Sequence, residues 1–317
     1  MIYFHHIVVI IIAVFSNFLI INTQSREYHH LPLGPNMIGP ESIAFDCKGE
    51  GPYAGISDGR VMKWQGPIQG WAEFAVTSPY RSRYCDGLDN SIMEQYCGRP
   101  LGIKFDMRTC ELYIADSSLG LMKVGSEGGV ATSLSRGVAG VPFRFLNALD
   151  IDSQTGAVYF TDTSSNYHRW EYAKAIANFD HTGRLLKYDP TTKAVTVLLD
   201  GLFFANGVAL SEKKDFVLVA ETTAFQIRRL WLTGPQAGTS EIFIKLTGLP
   251  DNINRNNRGE FWVAQNPAKP VKLDQSGKIM ESLDTPMIVD SSDITEFHNN
   301  IWIGSVIQRY LLYSRIG

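Results

Sequence analysis

Residues 147–162, NALDIDSQTGAVYFTD, read as two short strands joined by a tight Gly-containing turn. The second strand ends abruptly in a polar residue, and that pattern returns along the chain. AGISD (54–58), YIAD (113–116), YFTD (159–162), LVAE (218–221), WVAQ (262–265) and WIGS (302–305) lie 58, 46, 59, 44 and 40 residues apart. Another strand-like run follows each copy: RVMKW, LMKV, RLLKY, IRRLWL, PVKL and RYLLY. Turn signals lead several of these into a further strand, as in GRLLKYDPTTKAVTVLL. One more short strand precedes each motif: ESIAFD (41–46), LGIKFD (101–106), NALDID (147–152), NGVALS (206–211), DNINRN (251–256) and DITEFH (293–298). Four strands recurring six times at a period of about 40–60 residues predict an all-β, six-bladed β-propeller with four-stranded blades. A β-sandwich does not require six copies in matching register. The stretch 167–180 reads as a short helical insertion in the third blade.

Composition agrees with this reading. The chain has 317 residues, a net charge of −3, 19 % charged residues and 28 glycines. So few charges suit blade faces buried against one another. The near balance of sign argues against a nucleic-acid partner, which needs a surplus of Lys and Arg on one face. The expected partner is a small molecule, and the expected state a monomer.

Residues 7–21, IVVIIIAVFSNFLII, form an apolar run shorter than the ~20 residues of a membrane span. Residues 1–24 are therefore read as a secretory signal peptide or a signal-anchor, with a membrane partner only if the segment is retained. Residues 25–317 are read as the propeller, lying in the lumen of the secretory pathway: vacuole, endoplasmic reticulum or extracellular space. Four cysteines fit that compartment. Cys85 and Cys97, twelve apart in a loop-like stretch, are expected to form a disulfide. Cys47 and Cys110 are either buried thiols or a second bridge. The last blade runs out at YSRIG, so residues between Ser25 and Gly39 are expected to complete its sheet.

The first strand of each propeller blade lines the central channel. The first positions of the six aligned strands are Glu41, Leu101, Asn147, Asn206, Asp251 and Asp293, five of them bearing a side-chain oxygen. Taken singly, Asn and Asp at strand starts are common turn formers. Five in one register suit a hard cation such as Ca2+, which takes carboxylate and amide oxygens together. Asn252 adds one more.

The motifs GPESIAFD, CGRPLGIKFD, LYIADSSLGLMKVGSEGG, VPFRFLNALDID, TGAVYFTDTSSNY, TGRLLKYDPTTK, ANGVALS and LPDNI together resemble the plant strictosidine synthase-like family, from about Gly39 to the end. The resemblance implies a six-bladed propeller of the secretory pathway, related to paraoxonase-like and gluconolactonase-like calcium hydrolases. Strictosidine synthase itself condenses tryptamine with secologanin and uses a glutamate just before the last inner strand. Here that segment, TPMIVDSSDITEF, offers Asp290 and Asp293 but no glutamate before Glu296. The metal-dependent relatives imply calcium ligands at Glu41, Asn147, Asn206, Asp251 and Asn252. Their histidine near the second inner strand has no counterpart at Leu101.

These observations lead to a divalent-cation-dependent ester or lactone hydrolase with its site in the channel. Asp251 and Asp293 are the candidate catalytic bases. Tyr167, His168 and Arg99 are the candidate substrate-binding residues. The alternatives are a synthase-type condensation of an amine with an aldehyde in alkaloid formation, and a non-catalytic interaction propeller.

Overall fold

The computed structural model describes residues 26–89, 91–285, 288 and 290–316. The leader read at residues 1–24 lies outside them. Six four-stranded antiparallel blades are present, each built from the inside outwards. Blade 1 comprises Ile43–Ala44, Tyr53–Gly55, Arg60–Trp64 and Trp71–Val76, with Gly129–Val130 added in parallel at its edge. Blade 2 comprises Pro100–Phe105, Leu112–Asp116, Gly120–Val124 and Thr132–Ser135. Leu146–Asp152, Ala157–Asp162, Gly183–Tyr188 and Val195–Leu202 form blade 3. Ala205–Leu210, Phe216–Glu221, Gln226–Trp231 and Ser240–Lys245 form blade 4. Blade 5 comprises Leu249–Arg255, Phe261–Asn266, Val271–Leu273 and Ile279–Ser282. Blade 6 takes Ser291–Phe297, Asn300–Ser305 and Tyr310–Arg315 from the end of the chain and His29–Pro32 from its beginning.

That last pairing closes the ring. His29 lies opposite Tyr313 and Pro32 opposite Tyr310, and Leu31 is buried with Leu311 and Ile43. The strand covers backbone that would otherwise be an open sheet edge. A chain lacking residues 1–32 is expected to melt about 10 °C or more below one lacking residues 1–24, and a matching melting temperature would show that closure contributes nothing. Because His29–Pro32 runs antiparallel to Tyr310–Arg315, the described chain enters on the face opposite the channel mouth described below.

Apolar clusters occupy the interfaces between blades. Tyr53, Ile103 and Leu112 join blades 1 and 2, for example, while Trp262, Ile294 and Ile303 join blades 5 and 6. The polar residue that ends each second strand has a distinct task. Asp116 accepts a bond from the Arg99 amide (2.7 Å), Asp162 from Phe145 (3.1 Å), Glu221 from Phe203 (3.2 Å) and Gln265 from Gly248 (3.1 Å). Each amide lies just before its own blade's inner strand, where no sheet partner takes it, so a buried acceptor is required. In blades 2 to 5 the polar ending is thus the staple that holds the inner strand at the channel.

Two insertions sit over one end of the channel. The helical insertion comprises a 3-10 turn, Arg169–Glu171, and a helix, Tyr172–Ala177, between the second and third strands of blade 3. The other is the loop between blades 1 and 2, carrying a short helix Glu94–Cys97 and tied by a Cys85–Cys97 disulfide. Gly98 ends that loop at φ +86°, and a Cβ there would fall 1.8 Å from Thr77 Oγ1. Cys47 and Cys110 form the second bridge, between the turns that follow the inner strands of blades 1 and 2 (Cα–Cα 5.3 Å). Among the described residues no cysteine is free.

Candidate functional site

Each of the inner strands of blades 2 to 6 carries a register shift near its start. The shifts bracket Leu101, Asn147–Ala148, Asn206–Gly207, Asp251–Asn252 and Ser292. Such bulges re-aim a side chain, and four of these first bulged residues line the channel mouth together with Glu41 of blade 1: Leu101, Asn147, Asn206 and Asp251. In blade 6 the equivalent position is Ser292 rather than Asp293, which corrects the register expected from the sequence. Aligning Ile294↔Ile303 with Ile103↔Ile114 puts Asp293 opposite Gly304, one residue further in. The sixth strand starts at Ser291, earlier than the polar Ser-Ser pair suggests.

The mouth cavity encloses about 390 Å³. Its floor is polar, and its wall includes Leu101, Phe145, Phe204 and Ile176. Four buried side-chain oxygens in this lining have no hydrogen-bond partner: Glu41 Oε2, Asn147 Oδ1, Asn206 Oδ1 and Asp251 Oδ1. The asparagines are set in place by one repeated device. Asn147 Nδ2 donates to Thr163 Oγ1 (3.1 Å), and Asn206 Nδ2 donates to Thr222 Oγ1 (3.2 Å). Each threonine gives its own proton to the next blade, Thr163 to Ala205 O and Thr222 to Pro250 O, both at 2.7 Å. A hydroxyl so committed can only accept from the amide. The –NH2 group must therefore turn away, and the carbonyl oxygen faces the channel.

Burial pushes Glu41 up to about 7, against the opposing charges of Arg99 and Arg169. Asp251 is also raised well above the carboxylate range, first by burial and then by Glu41. Two carboxylate oxygens and two amide oxygens without donors fit a hard divalent cation with oxygen preference, while Asn206 also gives the Asp251 carboxylate a side-chain hydrogen bond. Among the described residues no group of three His, Cys, Asp or Glu side chains has metal-ligand spacing, so the amides are essential to such a set.

Asp293 and Asn252 lie deeper. Asn252 is buried beside Asp293 around a small void below the mouth. Asp293 accepts the Ile43 amide at 2.8 Å and a bond from Asn254 Nδ2. Lys104 Nζ donates to Asn254 Oδ1 (3.3 Å) and faces Asp150 at 3.7 Å, and Asp150 accepts the Leu210 amide (2.8 Å). This polar belt runs from blade to blade and separates the mouth from the distal end of the channel. Burial raises Asp293 to about 6, opposed chiefly by the Ile43 N–H. Asp290, exposed, lines the mouth, whereas Glu296 is held at the far end by Arg258 and Trp262.

Of the expected substrate-binding residues, Arg99 is wholly buried behind Glu41, with both terminal nitrogens lacking hydrogen bonds. Tyr167 packs with Leu101, Phe145, Ala175 and Phe204. His168 stacks on Trp170 with ring centroids 4.4 Å apart and is 3.3 Å from Arg144; it lies outside the cavity lining. The residues that line the cavity from the insertion are instead Arg169, Tyr172 and Ile176. Helical phase within that insertion was the only signal for them, and one and a half turns are too short to read it. Arg169 also holds Glu94 through Nε, at 2.8 Å from both carboxylate oxygens, joining the two insertions. Removing one partner of a buried pair leaves an uncompensated charge. Glu94→Gln is expected to cost about 3–5 kcal/mol in a denaturant melt, and Glu94→Leu with Arg169→Met to recover much of it.

The architecture is that of a six-bladed β-propeller with a capped, oxygen-lined mouth at one end of its channel. Family models described as strictosidine synthase and as the strictosidine synthase-like N-terminal region match residues 147–235 and 22–64. Protein STRICTOSIDINE SYNTHASE-LIKE 10 of Arabidopsis thaliana is 45 % identical over 315 aligned positions, covering 86 % of this chain and 84 % of that protein. STRICTOSIDINE SYNTHASE-LIKE 11 of the same plant is 38 % identical, covering 90 % and 91 %. The chain belongs to the strictosidine synthase-like family. In fold it also resembles a gluconolactonase from Xanthomonas campestris (TM-score 0.67, 16 % identity, 92 % and 90 % covered). A calcium-binding protein, regucalcin, from Agrobacterium tumefaciens is similar to the same degree (TM-score 0.64, 15 % identity, 92 % and 93 % covered).

Proposed function

We propose that this protein is a divalent-cation-dependent hydrolase of small esters or lactones, with Glu41, Asn147, Asn206 and Asp251 holding the cation in the channel mouth. The observation that carries this reading is the set of four buried, unpartnered oxygens. Left without a cation, each would bear the full cost of desolvation, about 1–3 kcal/mol and more for the carboxylates. The fold likeness to a gluconolactonase and to a calcium-binding regucalcin supports it.

A bound cation supplies a Lewis acid for a substrate carbonyl and a means of activating water. The chain's own residues do the rest. Phe145, Phe204, Leu101 and Ile176 take the apolar part of the substrate and exclude bulk water. Asp251 Oδ1 faces the cavity and is committed to the cation, so Asp290, the exposed carboxylate of the mouth lining, receives the proton of the attacking water. Asp293 is not assigned this step, because both of its oxygens already accept bonds in the belt. Two disulfides suit an oxidising compartment, and the lumen of the secretory pathway is the proposed location.

Metal analysis of the purified protein, followed by an ester and lactone panel with and without EDTA, tests the reading. About one divalent ion per chain and turnover abolished by EDTA are expected. Turnover indifferent to EDTA would overturn it. Product from tryptamine and secologanin in the presence of EDTA would select the condensation instead.

A further inference from the structure

Below the polar belt the channel opens again on the distal face into a second cavity of about 340 Å³, which shares no lining residue with the mouth. Phe105, Ile151 and Phe297 line it, and three cationic residues reach it: Lys104 from blade 2, Lys214 from blade 4 and Arg255 from blade 5. Lys104 is engaged in the belt. Among the described residues, Lys214 Nζ has no hydrogen bond, neither Lys214 nor Arg255 has an ion pair within 4.0 Å, and Arg255 Nε is buried without a partner.

The carboxylates of the cavity are already committed. Asp150 accepts the Ile151 and Leu210 amides and faces Lys104. Asp152 accepts the Gln154 amide and the Thr155 hydroxyl within its own turn. Glu296 is held by both Arg258 and Trp262. Lys214 and Arg255 thus face an apolar wall with no carboxylate among the described residues within ion-pair distance, and Arg255 Nη1 donates to the Asn256 carbonyl (3.4 Å). Burial holds the Lys214 ammonium below the ordinary lysine range, and Arg255 and Lys104 add to this against Asp150 and Asp152. Lys214 also adopts a left-handed conformation (φ 61°), which glycine or asparagine would take at lower cost.

We propose that the distal cavity binds a small organic anion, its carboxylate or phosphate group between Lys214 and Arg255 and its apolar or aromatic body against Phe105, Ile151 and Phe297. Cationic donors select the charged group, and the apolar wall selects what carries it. The site is independent of the chemistry proposed for the mouth.

A ligand series that varies charge on one body tests this on the full chain by calorimetry at fixed ionic strength: benzoate, phenyl phosphate, benzyl alcohol and benzylamine. Benzoate or phenyl phosphate is expected to bind at least about tenfold more tightly than benzyl alcohol, with no binding of benzylamine. The tighter of the two anions tells a carboxylate ligand from a phosphate ester. Lys214→Asn and Arg255→Gln are each expected to weaken the anion about fivefold or more, while Asn206→Ala in the mouth leaves it unchanged. Asparagine accepts the left-handed turn, so Lys214→Asn carries the test if Arg255→Gln does not fold. Equal binding of benzyl alcohol, or anion binding unaffected by Lys214→Asn, would overturn the proposal.

Discussion

Asp251→Asn is expected to abolish cation binding and to lower ester or lactone turnover at least about 100-fold, while the cation-free protein melts no lower than the parent. The two halves of that expectation have one cause. Asp251 is a buried carboxylate whose charge is opposed by desolvation and by Glu41 beside it. Removing the charge removes a cost from the empty ring and a ligand from the filled one. Glu41→Gln is expected to behave alike, since its carboxyl is raised for the same reason. Asn206→Ala removes an oxygen without removing charge, so it should weaken the cation without the compensating gain in stability. Thr222→Val is the sharper probe. It keeps the volume but frees the Asn206 amide to rotate, because the bond from Nδ2 to Thr222 Oγ1 fixes which end faces the channel. About a 10- to 100-fold loss of cation affinity is expected from losing such an orienting partner, read by calorimetry with calcium. If Asp251→Asn retains both the ion and turnover, the ring is not the site.

The ring was legible in the sequence at blades 1, 3, 4 and 5 because polar residues recur at one register position among apolar ones: Glu41, Asn147, Asn206 and Asp251. It misleads at blade 6, where the alignment of the repeats points to Asp293 and the bulge at Ser292 puts that residue one step deeper, into the belt. Bulges are backbone events with no residue signature of their own, so strand counting cannot find them. The polar strand endings announced the repeat, yet their purpose emerged only from the amides they staple, such as Asp162 to Phe145. Likewise nothing in the sequence joins Thr163 to Asn147 or Arg169 to Glu94. Those contacts cross between strands or between insertions, and side-chain pairing over such distances follows from topology rather than from spacing. The same limit applies to the lid, where Tyr167 and His168 were selected for their chemistry but Tyr172 and Ile176 face the cavity.

Stripped of cations, the protein is expected to be more stable near about pH 5.5 than near about pH 8, and millimolar calcium is expected to narrow that difference. Glu41 has an ordinary value of 4.5 and is raised to about 7 in the fold, with Asp251 raised in the same direction. Between those values the folded protein holds protons that the unfolded chain has already released. Unfolding then releases protons, so stability falls as pH rises through this window and is lowest once both carboxyls are ionised without a partner. At about 1.4 kcal/mol per unit, Glu41 alone contributes about 2 kcal/mol between these two pH values, or roughly 4–8 °C in melting temperature for a domain of this size. Calcium opposes the dependence because its ligands must be deprotonated: it binds weakly at low pH and strongly at high pH, where the empty ring is least stable. Asp162 and Asp293, each raised to about 6 by burial, give the same slope but lie outside the ring. Asp162 contributes equally with and without calcium, whereas Asp293, whose charge acts on both Glu41 and Asp251, is read together with them in the calcium-dependent part of the pH profile. Thermal melts of EDTA-treated protein at the two pH values, each with and without calcium, measure it. Glu41→Gln should flatten the cation-free slope, and an EDTA-treated parent whose melting temperature does not change with pH would show that the ring carboxylates are ionised at no cost to the fold.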